Sequence, residues 1–129
     1  MNQIQDPTQL SPSVAAVRQE AGHAVVELRG DIDLDAGPLL RRTLLELVAA
    51  GADRLVLDLS GVGFIDSTGI GILVTIVNKV HNHFDGVVKL AAPSENVTRL
   101  LAMTGLGEVF VVYPSVDAAV GRPTLSEAV

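Results

Sequence analysis

Five consecutive residues constrain the fold more than any others: Leu55-Val56-Leu57-Asp58-Leu59 is an aliphatic run broken by a single carboxylate. A strand with one wet face alternates apolar and polar residues, whereas a strand covered on both faces reads as a near-continuous Val/Ile/Leu run. This segment therefore belongs at the centre of a sheet with helices packed on it. The chain has 129 residues, enough for one core and not two. Hydrophobic residues make up 48% and aromatics only 3%, so that core has to be built from Val, Leu, Ile and Ala, as parallel sheets are.

The segments on either side alternate in period. Val14 to Arg18 and Ala24 to Arg29 are short β-prone runs around Glu20-Ala21-Gly22-His23, a hairpin pattern, and Gly30 is expected to end the second run. Leu40, Leu44, Leu47 and Val48 recur at helical spacing, with Asp33 or Asp35 as cap, Pro38 in the first turn and Gly51 past the end. After the central strand, Ser60 to Asp66 reads as a loop, and a second helix opens at Ser67 or Thr68 and runs to about His83. Val87 to Ala91 is the next strand, Ser94 caps a third helix stopped by Gly105, Val109 to Val112 is a last strand, and Ser115 caps a short helix over Val116 to Val120. The expectation is an α/β fold: four to five mixed strands, mostly parallel after the hairpin, with about four helices. Residues 1–12 and 121–129 read as a flexible lead and tail around a domain at 13–120.

Several function classes are disfavoured. Nine Lys and Arg against 15 Asp and Glu give a net charge of −6, and few aromatics are present to stack on bases, so nucleic acid is not the expected partner. There is no cysteine, hence no disulfide, thiolate metal site or cysteine nucleophile. His81 and His83, two apart on a helix, point about 200° away from each other and cannot share a metal there. The N-terminus lacks a signal-peptide pattern, and the longest apolar run, Ile70 to Val77, is far short of the roughly 20 residues that cross a bilayer. A cytoplasmic protein without direct membrane insertion is expected. Ile65 stands where a serine-hydrolase elbow requires glycine, and Gly61-Val62-Gly63 lacks the third glycine of a dinucleotide loop. Neither an enzyme nor a bound cofactor is expected.

In an open α/β sheet, ligands and partners are met just past the carboxyl ends of the strands. Gly30-Asp31-Ile32-Asp33, Phe64-Ile65-Asp66-Ser67-Thr68-Gly69 and Ala92-Pro93-Ser94 all fall there. Ser67 at a helix start reads in two compatible ways. It can be an N-cap, or it can be a phosphoacceptor whose phosphate meets free N–H groups and the positive end of the helix dipole. On the second helix, Ile70, Leu73, Val74, Val77 and Val80 form one stripe, and Ile72 and Ile76 widen it to roughly 200°. The surplus is explained either by burial against neighbouring helices or by a docking face. Asp58 either orients the Asp66 loop or faces solvent.

Taken together, Gly30-Asp31-Ile32-Asp33, Leu55-Val56-Leu57-Asp58-Leu59-Ser60, Phe64-Ile65-Asp66-Ser67-Thr68-Gly69-Ile70-Gly71 and Thr104-Gly105-Leu106 resemble the STAS domain, specifically the bacterial anti-sigma factor antagonists, over about residues 14 to 120. The resemblance implies that Ser67 of the Asp-Ser-Thr-Gly tetrapeptide is the phosphorylated residue. It also implies that the loop and second helix bind an anti-sigma factor with serine kinase activity, through Asp31, Asp66, Ser67, Thr68, Gly69, Ile72 and Ile76. Binding then frees a sigma factor, phosphorylation breaks the complex, and a serine phosphatase restores it. A stand-alone STAS scaffold, or a regulatory subunit of a stress complex or membrane transporter, is the alternative. The segment Lys79-Val80-His81-Asn82-His83-Phe84-Asp85-Gly86 departs from the family's basic helix end and paired glycines, and Thr68 stands where serine is also common.

Overall fold

The computed structural model describes residues 11–84 and 86–121. Nine elements follow one another: β1 (Val14–Glu20), β2 (His23–Ile32), α1 (Gly37–Ala49), β3 (Arg54–Ile65), α2 (Ser67–Phe84), β4 (Val87–Ala91), α3 (Glu95–Ala102), β5 (Val111–Tyr113) and α4 (Val116–Val120). They make the mixed, mostly parallel α/β sheet that the sequence predicts. The strand order is β1-β2-β3-β4-β5, antiparallel between β1 and β2 and parallel elsewhere.

Local chemistry accounts for the element ends. Ala21 and Gly22, at φ 50° and 79°, make the two-residue turn whose left-handed backbone matches the twist of a hairpin. Neither Asp33 nor Asp35 caps α1, whose N-cap is Ala36 without a side-chain cap bond; Asp33 instead accepts the backbone N–H groups of Asp35 at 3.1 Å and Ala36 at 3.0 Å in the turn before the helix, and Pro38 sits in the first turn. Ser94 and Ser115 accept the N–H groups of Val97 and Ala118 at 3.1 and 3.0 Å and cap α3 and α4.

Each parallel step from β2 to β5 moves one strand further across the sheet, so right-handed crossovers put α1, α2 and α3 on one face. Leu40 and Leu44 of α1, Leu73 and Ile76 of α2, and Val97 of α3 meet Leu55, Leu57 and Leu59 in the main core. Val56, the odd residue of the same run, points the other way into a smaller cluster with Val25, Ala91, Ala119 and Val120. Both faces of β3 are thus covered, as its unbroken apolar run requires.

Several boundaries differ from the sequence reading. Gly30 does not end β2, and the stretch from Ser60 is not a loop: β2 reaches Ile32, β3 reaches Ile65, and the two stay paired through Asp31 with Phe64 and Ile32 with Ile65. Glycines that look like breakers serve as irregularities inside the ladder. Two register shifts interrupt the pairing, Gly30 takes φ 78°, and a Cβ on Gly61 would stand 2.8 Å from the Leu28 carbonyl oxygen. The last strand starts at Val111, not Val109, because the Val109 N–H turns back to the Leu106 carbonyl. Of the lead expected over residues 1–12, Ser11 is buried and Pro12 accepts a bond from Arg29 at 2.7 Å; residues 1–10 and 122–129 lie outside the described residues.

Candidate functional site: the start of the second long helix

The carboxyl ends of β2 and β3 lie side by side, which sets Asp31 next to Phe64 and brings the start of α2 against Ile32. Asp66 carries the junction. Its N–H donates to the Ile32 carbonyl at 3.2 Å, its own carbonyl accepts the first helical bond from Ile70 at 2.9 Å, and its side-chain Oδ1 accepts the Gly69 N–H at 3.0 Å. Asp66 is therefore the N-cap, and Ser67 is the first residue inside the helix. The capping role open to Ser67 from sequence belongs to its neighbour. The Ser67 side chain is exposed and, among the described residues, makes no hydrogen bond.

Two glycines allow the helix to start here. A Cβ on Gly69 would lie 2.5 Å from the Ile32 carbonyl oxygen and 2.6 Å from Ile65 Cγ1, so only glycine lets α2 approach β2 this closely. A Cβ on Gly37 would lie 2.9 Å from Thr68 Cγ2 and 3.0 Å from Ile72 Cδ1. Thr68 is accordingly half-buried against the start of α1, and the two adjacent hydroxyl residues have opposite surroundings.

Ile72 and Ile76 are 5% and 0% exposed and belong to the main core, so neither presents a side chain to a partner. Packing against α1 and the sheet accounts for the width of the apolar arc. Apolar side chains that do face outward near the carboxyl ends of β2 and β3 are Leu34, 70% exposed after β2, and Phe64, 42% exposed near the end of β3. Helical periodicity could not find them. The one available signal was Phe64 as one of three phenylalanines, placed at a strand's carboxyl end. Asp58 accepts the Ser60 N–H at 3.0 Å, which supports the irregular part of β3 and not the Asp66 loop. Asn96 of α3 donates to the Gly63 carbonyl at 3.0 Å and ties the third loop region to the same edge.

The edge is acidic, with Asp31 and Asp35 exposed and Asp33 and Asp66 half-buried. The ion pairs among the described residues join Arg18 to Glu20 and Glu27 on β1 and β2, away from it. Among the described residues no base is hydrogen-bonded to Ser67. Its hydroxyl is accessible from solvent. Among the described residues no three His, Cys, Asp or Glu side chains are grouped to hold a metal, and no helix is long and apolar enough to cross a membrane.

The STAS domain profile matches residues 14–119, and the chain belongs to that family. Within it, the chain is similar to anti-sigma factor antagonists. It is 34% identical over 104 residues to the anti-sigma-B factor antagonist of Bacillus subtilis, covering 81% of this chain and 94% of that one. It is 33% identical over 107 residues to the anti-sigma-F factor antagonist RsfB of Mycobacterium tuberculosis, covering 81% and 85%. The crystal structure of an anti-sigma factor antagonist from Mycobacterium paratuberculosis superposes with a TM-score of 0.75 at 31% identity, over 82% of this chain and 89% of that one.

Proposed function

We propose that this protein is an anti-sigma factor antagonist that binds a kinase-type anti-sigma factor in the cytoplasm, where ATP is at hand, and thereby releases a sigma factor. Phosphorylation of Ser67 switches it off, and a serine phosphatase resets it. The observation that carries the reading is the division of labour at the start of α2: Asp66 caps the helix, and the exposed Ser67 hydroxyl is left with no structural duty.

A phosphate there meets the N–H groups of Ser67 and Thr68, which no intrahelical carbonyl satisfies, and the positive end of the helix dipole. The modified chain keeps its fold. The phosphate adds about −1.5 to −2 charge next to Asp66 and close to Asp31, on the surface where Leu34 and Phe64 offer apolar contact. A partner surface shaped for the neutral hydroxyl then has to desolvate a dianion, which breaks the complex. The protein itself performs no catalysis in this scheme.

The test is capture from native lysate with wild-type, Ser67→Ala and Ser67→Asp baits. Wild type and Ser67→Ala are expected to retain one small ATP-binding kinase that Ser67→Asp loses. Identical capture by all three baits, or capture of no kinase, overturns the switch.

A further inference from the structure

The face of the sheet opposite α1, α2 and α3 holds a feature that the Ser67 edge does not use. Register sets Arg18, Val25, Val56, Lys89 and Val111 in one row across the five strands, with His23 and Arg54 in the row before and Glu27, Asp58, Ala91 and Tyr113 in the row after. Cross-strand partners point to the same face. Val25, Val56 and Ala91, each 0% exposed, thus form an apolar island in a mostly polar surface, and its cover is α4 with Ala119 and Val120.

A helix of five residues has no stability of its own. Among the described residues, what holds α4, besides the island and its caps at Ser115 and Gly121, is one cation. Lys89 Nζ donates to the Ala119 carbonyl at 2.7 Å, at the end of a helix where carbonyls lack partners and positive charge is favoured. The same ammonium lies 5.3 Å from the centre of the Tyr113 ring and 3.2 Å from His23 Nε2. Arg54 reaches that ring nitrogen as well, at 3.4 Å. His23 is 1% exposed, and its Nδ1 lies 2.9 Å from the Ala21 carbonyl, so Nδ1–H donates while Nε2 accepts from the two cations. Lys89 thereby joins the hairpin turn, β4, β5 and α4.

We propose that α4 is a strap latched to the sheet by Lys89, and that it lifts as a unit, without unfolding of the main core, to uncover the island of Val25, Val56 and Ala91. Four facts support it: the covered cluster is separate from the main core, the cover is too short to persist alone, the fastening is one half-buried ammonium, and that ammonium gives up hydration when it is made fast. Burial, and after it the charge of Arg54, lower the Lys89 pKa from the ordinary lysine value, which sets the latched state against a better-hydrated open one.

Tyr113 is the only tyrosine and there is no tryptophan, so intrinsic fluorescence reports on this latch alone. The experiment combines acrylamide quenching of Tyr113 with hydrogen exchange read by mass spectrometry, on wild type, Lys89→Met and Lys89→Arg. The expected result is that residues 116–120 of the wild type exchange well ahead of β3. Lys89→Met should raise that exchange about tenfold and increase quenching, with β3 protection unchanged, and Lys89→Arg should restore most of both. The proposal fails if the wild-type strap exchanges only as fast as β3, or if Lys89→Met speeds β3 and α4 equally. It fails too if Lys89→Met alters neither readout.

Discussion

Asp66 accepts the backbone N–H of Gly69 at 3.0 Å, and that bond frees Ser67, the next residue, from holding the helix. The relationship separates helix capping from the proposed switch at adjacent positions. Asp66→Ala should lower the unfolding free energy by about 1 kcal/mol, the usual loss of an N-cap, while Ser67→Ala should stay within about 0.5 kcal/mol of wild type. Urea midpoints of the two variants decide it. Equal losses would mean that Ser67 shares the cap.

Two glycines of α2 should respond in opposite directions to one methyl group. Gly69→Ala forces a Cβ to 2.5 Å from the Ile32 carbonyl oxygen, and overpacking of this kind costs about 1–3 kcal/mol. Gly71→Ala meets no atom within 4 Å and should gain about 0.5–1 kcal/mol, as alanine does over glycine in a helix. The same denaturation series reads both.

Leu34 and Phe64 should matter for binding and little for folding. Their exposures of 70% and 42% predict that Leu34→Ser and Phe64→Ser each change stability by less than about 1 kcal/mol. Affinity for the anti-sigma factor, once captured, should fall roughly tenfold, or about 1.4 kcal/mol, in titration calorimetry. Unchanged affinity in both would move the contact surface elsewhere.

Ala92, where β4 ends, holds φ 55° while its N–H donates to the Tyr113 carbonyl at 2.9 Å. Left-handed backbone costs a residue with a Cβ about 1–2 kcal/mol, so Ala92→Gly should raise the thermal midpoint. A lower midpoint would show that glycine's flexibility in the unfolded chain outweighs the relieved strain.

The lowered pKa of Lys89 makes a signed prediction for pH. At pH values between the folded-state pKa and 10.5, the unfolded chain binds more protons than the folded one, so this group's contribution makes stability rise with pH over that interval. Below the interval both states are protonated and the contribution is flat. Subtracting Lys89→Met from wild type, from neutral pH towards 10.5, should isolate the slope; a difference that falls with pH would reverse the assignment.

Much of this was readable residue by residue. Val87–Ala91 and Val116–Val120 stand where their apolar runs and flanking caps place them, because those signals act over a few neighbours in the chain. The errors cluster at Gly30, Gly61 and Gly63, where local preference says turn and the pairing of two long strands overrides it. The apolar arc of α2 left two readings of Ile72 and Ile76 open; both lie in the main core, and the neighbour that meets Ile72 is Gly37, 35 positions before it and on another helix.

The sequence by itself determined the order of elements, the central place of β3, the acidic loop and the tetrapeptide around Ser67, since each depends on period or composition within one segment. Only the tertiary structure decided that Asp66 caps while Ser67 faces out, that Thr68 packs inward, and that His23, Arg54 and Lys89 converge. Arg54 and Lys89 stand 31 and 66 positions from His23, and the cross-strand register that joins them exists only once the sheet has formed. Local propensity fixes what each segment can be; long-range burial selects which of its side chains are left for solvent and partners.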